Sequence, residues 1–222
     1  MGLCDTNNYV VAWIFVWKKL NLVCSVMFDI KDYVDQGFML EAAKEFPVRL
    51  CGFIVYSRKN PHVAKLLRDF DYWRELDAIS GVKWPIFAIR PVAKTTPYTR
   101  KDAQQEEADE MEVRACLDIS GSDIPCFVCF IWNDNGELQK ITHRIDDRTL
   151  ETTHADLREI VSRVSDVIND ILPEYMQSEN VFRNVRFAIE AYNTQTKVRD
   201  VAKNAKWTID MLNSLPLTVV GV

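Results

Sequence analysis

The sequence is short of the residues that several kinds of functional site require. Of its 222 residues only seven are glycine and three are histidine. It contains no Gly-x-Gly-x-x-Gly, Gly-x-x-x-x-Gly-Lys, Gly-x-Ser-x-Gly or His-Glu-x-x-His motif. A phosphate-cradling loop, a nucleophile elbow and a histidine-rich zinc site are therefore not indicated. We expect no metal site and no cofactor.

The chain also lacks an excess of positive charge. Its formal net charge is -5, so it has no general field that would attract a phosphate backbone or an anionic membrane surface. Residues 181–210 hold six basic and three acidic side chains, a mild bias typical of a solvated helix face. Nucleic acid is therefore not the expected partner, and a nucleic-acid or nucleotide-signalling accessory role ranks third among our hypotheses.

No apolar run is long enough to span a bilayer. The longest one near the start, residues 9–17, is followed by Lys18 and Lys19, whereas a transmembrane helix needs about 20 apolar residues. A secretory signal carries its positive charge before the apolar run, which is not the order found here. These features predict a cytoplasmic protein with no membrane span. The opening Met1-Gly2 fits a loose myristoylation pattern, and lipidation there stays open.

A disulfide framework is not needed either, because a chain of this length can bury enough apolar surface to fold without covalent bridges. Most of the cysteines lie inside apolar runs, where a thiol behaves as a small hydrophobic group. We expect reduced thiols, mostly buried, at all six positions: Cys4, Cys24, Cys51, Cys116, Cys126 and Cys129.

The first half of the chain alternates strand and helix patterns, which is typical of an α/β fold. Asn60-Pro61 is a helix-start signal, because the Asn side chain can accept from the free first-turn amides and Pro at the first position loses no hydrogen bond. Gly81 is expected to end that helix. The predicted elements are strands over 22–30, 48–56 and 83–92 and helices over 32–46 and 61–80.

The second half contains a predicted hairpin and long helices. Asn135-Gly136 between two extended segments indicates a tight antiparallel turn. Thr153 and Asp156 are expected to cap the helix that follows, and the polar stretch 193–197 could divide the last helix in two. The predicted elements are strands over 126–132 and 138–145 and helices over 101–116, 153–172 and 178–214.

This order of elements resembles thioredoxin. Gly121-Ser-Asp-Ile-Pro125, followed by the apolar strand and Asn133-Asp-Asn-Gly-Glu137, is similar to the family's Ile-Pro before a buried strand and its Asn-Gly-Glu hairpin. The resemblance implies a mixed sheet flanked by helices, with Pro125 in the cis form beside the active site. It covers roughly residues 20–172, leaving 1–19 as an N-terminal apolar extension and 173–222 as a C-terminal helical extension.

A second local match shows a departure from the family. Lys59-Asn60-Pro61-His62 stands where an active thioredoxin has Cys-Gly-Pro-Cys, so the proline is kept and both cysteines are missing. Disulfide exchange needs a thiolate at the amino end of this helix and a second thiol to resolve the mixed disulfide. The resemblance therefore implies a redox-inactive protein. Its predicted groove is formed by Lys59, Asn60, Pro61, His62, Ile124 and Pro125.

One thiol near the predicted groove keeps an alternative open. Cys126 follows Pro125 directly, and it is the best candidate for a reactive cysteine if it is exposed and has a lowered pKa. Cys126 and Cys129 form a Cys-x-x-Cys spacing, but residues three apart in a strand point to opposite faces and cannot easily share a metal or a disulfide. A thiol- or glutathione-linked enzyme centred on Cys126 is thus the second hypothesis.

The preferred hypothesis is a non-catalytic thioredoxin-like module that binds a protein partner or a second copy of itself. The predicted groove and the two terminal extensions would supply the contacts, since apolar surface beyond what the core requires marks interaction sites when it stays exposed. No residue is assigned a catalytic role, and we lean against an enzyme. The partner and the oligomeric state cannot be read from the sequence, because fold analogy does not establish function.

Overall fold

The computed structural model describes residues 27–29, 46, 48–81, 83–88, 100–133, 135–171 and 178–214. Over these residues the chain is mixed α/β, which confirms the predicted class. The strands are β1 (Met27–Asp29), β2 (Cys51–Val55), β3 (Ile86–Ala88), β4 (Cys126–Trp132) and β5 (Leu138–Arg144). The helices are α1 (Pro61–Arg68), α2 (Phe70–Ser80), α3 (Arg100–Cys116), α4 (Leu150–Asp170) and α5 (Ser178–Ser214).

Several predictions fall on residues outside the described ranges. These are the apolar run 9–17, most of the strand predicted over 22–30, the helix predicted over 32–46 and the two proposed domain boundaries. Within the described residues, no helix is both long enough and apolar enough to cross a membrane.

The strands form one mixed sheet in the order β1-β3-β2-β4-β5. The first three strands run parallel, whereas β4 is antiparallel to β2 and β5 is antiparallel to β4. The predicted hairpin is confirmed: Gly136 has a φ of 78°, and the Asn133 side-chain oxygen accepts from the Glu137 amide at 2.8 Å. That positive φ is why the turn takes a glycine.

Each face of the sheet packs against its own set of helices. In β4, Phe127, Cys129 and Ile131 belong to the apolar cluster shared with α1, α2, α4 and α5. The alternate residues Cys126, Val128 and Phe130 join the opposite cluster, which includes Val113 of α3. Every residue of β4 is buried, because this central strand is covered on both faces. Among the described elements, the sheet therefore lies between four helices on one face and α3 on the other.

The helix predicted over 61–80 is two helices, so this prediction is wrong in its continuity. The break falls at Asp69, which has extended backbone angles (φ -86°, ψ 113°). Its carboxylate accepts from the amides of Asp71 at 3.0 Å and Tyr72 at 3.4 Å, which caps the second helix. A polar residue inside an apolar pattern can end one helix and start another, because its side chain accepts from the free first-turn amides of the helix that follows. Gly81, with a φ of 63°, ends α2 as expected.

The predicted capping residues of α4 are also wrong. The helix begins three residues earlier, at Leu150, after a capping box in which Thr149 and Thr152 each accept from the other's amide. Thr153 is buried instead, and its hydroxyl donates to the Thr149 carbonyl at 2.7 Å. Asp156 lies one turn further on and bonds to other parts of the fold.

The helix predicted over 178–214 is continuous, so the possible break at 193–197 does not occur. Its polar residues have partners that leave the helix intact. Thr194 and Thr196 donate from their hydroxyls to the carbonyls of Glu190 at 2.9 Å and Tyr192 at 3.0 Å, one turn earlier.

Candidate functional site

The two parts of the predicted groove lie at one edge of the sheet. Val55, the last residue of β2, is paired with Cys126, the first residue of β4. The turn that leads from β2 into α1 and the loop that leads into β4 therefore leave the sheet at the same edge. The Ile124–Pro125 peptide bond is cis.

The turn before α1 is held by its own polar side chains. The Asn60 side-chain oxygen accepts from the Ser57 amide at 2.9 Å and from the Ser57 hydroxyl at 3.1 Å, while the Asn60 amide donates to the Ser57 carbonyl at 2.9 Å. Asn60 makes no side-chain bond to the first turn of α1. Asn60 is the residue before the helix, as predicted, but the expected side-chain bond is not made, because its side chain faces backward into the turn. Pro61 does occupy the first turn as predicted.

The free amides of α1 have a partner that the sequence did not reveal. The Val63 amide donates to the Asp147 carboxylate at 3.0 Å, across 84 residues of sequence. Asp147 follows β5, and its side chain also lies 3.5 Å from the hydroxyl of Thr153. A carboxylate is stabilised at the positive end of a helix, the same place where a redox thiolate would be stabilised. The Asp147 carboxylate therefore occupies this position at the amino end of α1.

The six residues of the predicted groove differ in their exposure. Lys59 and Pro61 are exposed, whereas Asn60, His62 and Ile124 are half-buried and Pro125 is buried. The adjoining loop residues Gly121, Ser122 and Asp123 are all exposed. Side chains available to a partner at this edge are thus mainly polar, with an apolar contribution from Pro61 and Ile124.

Cys126 does not meet the conditions for a reactive thiol. Its side chain is fully buried. Burial raises the pKa of this thiol to about 12, the negative charge of Asp123 adds to the rise, and Lys140 opposes it. Burial also raises the pKa of Cys129 well above its ordinary value, and that residue joins the cluster on the opposite face of the sheet. Two protonated thiols on opposite faces cannot share a disulfide or a metal.

A buried polar cluster, missed by sequence reasoning, joins β5, α4 and α5. We call it the His143 cluster, formed by His143, Asp156, Tyr192 and Asn193. The His143 ring is 2 % exposed, and its centroid lies 5.0 Å from that of Tyr192. The Tyr192 hydroxyl donates to Asp156 at 2.9 Å. These are the contacts of a closed, internal network rather than of an open cleft.

Both ring nitrogens of His143 face oxygen atoms of neighbouring side chains. The Asn193 side-chain nitrogen donates to the Thr142 carbonyl at 3.1 Å, so its oxygen faces His143 Nδ1, 2.6 Å away. His143 Nε2 lies 3.0 Å from a carboxylate oxygen of Asp156. The ring is therefore held between the Asn193 side chain and the Asp156 carboxylate.

Asp156 is held in its charged form by these partners. Burial acts to raise its pKa, but the hydrogen bond and charge of His143, the Asp146 amide at 2.8 Å and the Tyr192 hydroxyl together lower the pKa below its ordinary value. The Arg163 guanidinium lies over the Tyr192 ring, 4.7 Å from its centroid, and adds a cation–π contact on the same side. The cluster fixes α5 to the sheet and to α4.

One sequence signal could have found the His143 cluster. Asp156 and Asn193 each interrupt an otherwise apolar helix face, and a polar residue at an inward position needs a polar partner. The identity of that partner could not be read, since Asn193 and His143 are separated by 50 residues.

Among the described residues, no group of three or more His, Cys, Asp or Glu side chains is arranged to hold a metal ion. Comparison of the chain with protein-family models, with curated proteins and with solved structures gave no match in any of the three.

Proposed function

We propose that the protein is a thioredoxin-like module without redox chemistry, which binds a segment of a protein partner at the predicted groove. Support comes from the mixed sheet with flanking helices and from the pairing of Val55 with Cys126, which brings α1 and the Ile124-Pro125 loop to one edge. The cis form of that proline agrees with the resemblance to thioredoxin. The pairing of Val55 with Cys126 is the observation that carries the proposal.

The absence of catalysis is argued from the chemistry of the same edge. Lys59 and His62 stand where the family's two thiols would be, and neither can form a mixed disulfide. Asp147 already bonds the Val63 amide, so the amino end of α1 is partly neutralised by the chain itself. The remaining thiol near the edge, Cys126, is buried and protonated. What this edge offers a partner is shape and polar contact.

The experiment compares capture of proteins by the full chain with capture by a groove variant, Lys59→Glu/His62→Glu. A matched control, Lys65→Glu/Arg74→Glu, changes one exposed lysine and one exposed arginine that are not among the six residues of the predicted groove. A partner recovered by the wild type and the control is then titrated against all three chains. We expect the groove variant to bind at least about tenfold more weakly, the loss of roughly 1.4 kcal/mol that a central contact supplies.

Equal affinity of the groove variant and the control would remove the predicted groove from the proposal. Unfolding in urea, measured on all three chains, shows whether the groove variant retains its fold. Reduction of insulin or peroxide by the wild type, lost in Cys126→Ser, would replace the binding role with thiol chemistry.

A further inference from the structure

Two helices of the described chain, α3 and α5, carry four of its five exposed large hydrophobic side chains, and the fifth, Phe70, begins α2. Four large hydrophobic residues stand out there: Met111 is 61 % exposed on α3, and Phe187, Val198 and Val201 are 75 %, 63 % and 68 % exposed on α5. Exposed apolar side chains that lie close together mark an interaction site. Met111 lies opposite the buried Val113 on α3, and Phe187 lies opposite the buried Val185 and Ile189 on α5.

Helix α5 has two apolar faces. Its inner face holds Val181, Val185 and Ile189, all fully buried against the sheet and α4. Phe187 and Val198 lie on the opposite side, in line with a row of exposed small residues at spacings of four and three, Ala202 and Ala205. We call the row of Val198, Ala202 and Ala205 the outer stripe of α5.

Helix α3 has a matching pair of faces. Val113 is buried against the sheet, while Ala108, Met111 and Ala115 form an exposed row at spacings of three and four. We call this row the outer stripe of α3. Alternating small and larger residues in such rows allow two helices to approach closely and interdigitate.

The charges beside the two stripes are opposite in sign. Exposed Lys197 and Arg199 flank Val198 on either side of the α5 stripe. Exposed Glu107 and Glu112 flank the α3 stripe in the same way. Opposite charges on both borders of an apolar seam favour the pairing of two helices and select against the pairing of like with like. An α5–α5 contact would bring basic residues together, and an α3–α3 contact would bring acidic ones together.

Helices α3 and α5 pack on opposite faces of the sheet. Val113 of α3 belongs to the apolar cluster on one face, whereas Val181, Val185 and Ile189 of α5 belong to the cluster on the other face. The residues of both stripes are exposed in the single chain, so each stripe is open to a second molecule.

We propose that two copies of this chain associate by pairing the outer stripe of α5 in one copy with the outer stripe of α3 in the other. With twofold symmetry each copy gives one stripe and receives the other, so that the contact is made twice. The seam is apolar at its centre and bordered by Lys197 and Arg199 against Glu107 and Glu112. This association does not use the predicted groove, which stays open to a partner.

The test is a charge exchange measured by sedimentation equilibrium of the full chain. One variant reverses the α5 border, Lys197→Glu/Arg199→Glu, and the other reverses the α3 border, Glu107→Lys/Glu112→Lys. We expect the wild type and the Lys65→Glu/Arg74→Glu control to be dimers, and each border variant alone to dissociate at least about tenfold more readily because both of its contacts become repulsive. An equimolar mixture of the two border variants restores opposite charges at both contacts and is expected to dimerise again.

A monomeric wild type, a dimer unaffected by either border variant, or a mixture that stays monomeric would each overturn the proposal. Circular dichroism of each variant shows whether its helices are retained. Raising the salt concentration from about 0.15 M to 1 M shortens the screening length from about 8 Å to about 3 Å and is expected to weaken the wild-type dimer. Loss of partner binding in the groove variant, with its dimer intact, would separate this proposal from the proposed function.

Discussion

Two aspartates in the segment around the start of α4 hold distant parts of the fold in different ways. Asp147 is half-buried and makes a bond to one backbone amide, at the amino end of α1. The Asp156 side chain is 11 % exposed and bonds a histidine ring, a tyrosine hydroxyl and a backbone amide. The difference separates a surface edge, where contacts are few and solvated, from an internal network that attaches a whole helix.

The two sites tolerate changes of sequence to different degrees. Surface contacts exchange with water at small net cost, so the α1 edge can vary and still fold. Removing one partner of a buried hydrogen-bonded pair leaves the other unsatisfied, so the His143 cluster cannot vary freely.

Replacing Asp156 with alanine is expected to lower the free energy of unfolding by about 3–5 kcal/mol, because the His143 ring, the Tyr192 hydroxyl and the Asp146 amide all lose their shared partner. Urea denaturation followed by circular dichroism measures the change. Asp166→Ala alters an exposed aspartate on the same helix and is expected to shift stability by no more than about 0.5 kcal/mol. Equal losses in the two variants would show that the His143 cluster is no more than a surface contact.

The contribution of Asp156 is expected to fade in acid. Because its pKa is lowered in the folded chain, its ionised form stabilises the fold above the ordinary Asp pKa of about 3.9, and this stabilisation is lost as the pH falls through the lower folded value. Urea denaturation at pH 7 and at pH 3 gives the difference in free energy of unfolding between the wild type and Asp156→Asn. This difference should be smaller at pH 3 than at pH 7. A difference that is the same at both pH values would contradict the assignment of Asp156 as a buried carboxylate.

Replacing Asp147 with alanine is expected to lower the free energy of unfolding by about 1 kcal/mol. The loss of a helix cap typically lowers it by about 0.5–2 kcal/mol. The local effect is faster hydrogen exchange at the Val63 amide, measured by NMR, because that donor loses its partner. A Val63 amide that exchanges at the wild-type rate would show that Asp147 does not close this end of α1. A decrease in free energy of unfolding as large as that of Asp156→Ala would show that the two aspartates contribute equally to stability.

Much of the fold could be predicted from residue patterns. The class, the buried strand β4 and the Asn133–Glu137 turn follow from short apolar runs and from the special backbone angles that glycine allows. The opposite faces of Cys126 and Cys129 follow from the two-residue period of a strand. The break at Asp69 was missed because an apolar pattern continues across it, and only its capping bonds reveal two helices.

The candidate site could be predicted only in part. Lys59 to His62 and Ile124-Pro125 were identified by resemblance, but the role of Asp147 was not, since no local pattern reports a bond between residues 84 positions apart. The His143 cluster was missed for the same reason, since its members are also far apart in the sequence. The expected caps of α4 were wrong because Thr153 and Asp156 serve inward contacts that outweigh their local preference for a helix start.

From the sequence alone follow the approximate positions of most described strands and helices and the apolar surroundings of most thiols. Periodicity and local backbone preference act over a few residues, so they can be read directly from the sequence. Only the tertiary structure shows which distant groups each aspartate bonds, that His143 lies between Asn193 and Asp156, and that α3 and α5 pack on opposite faces of one sheet. These features depend on contacts between residues that are far apart in the sequence, and burial strengthens those contacts.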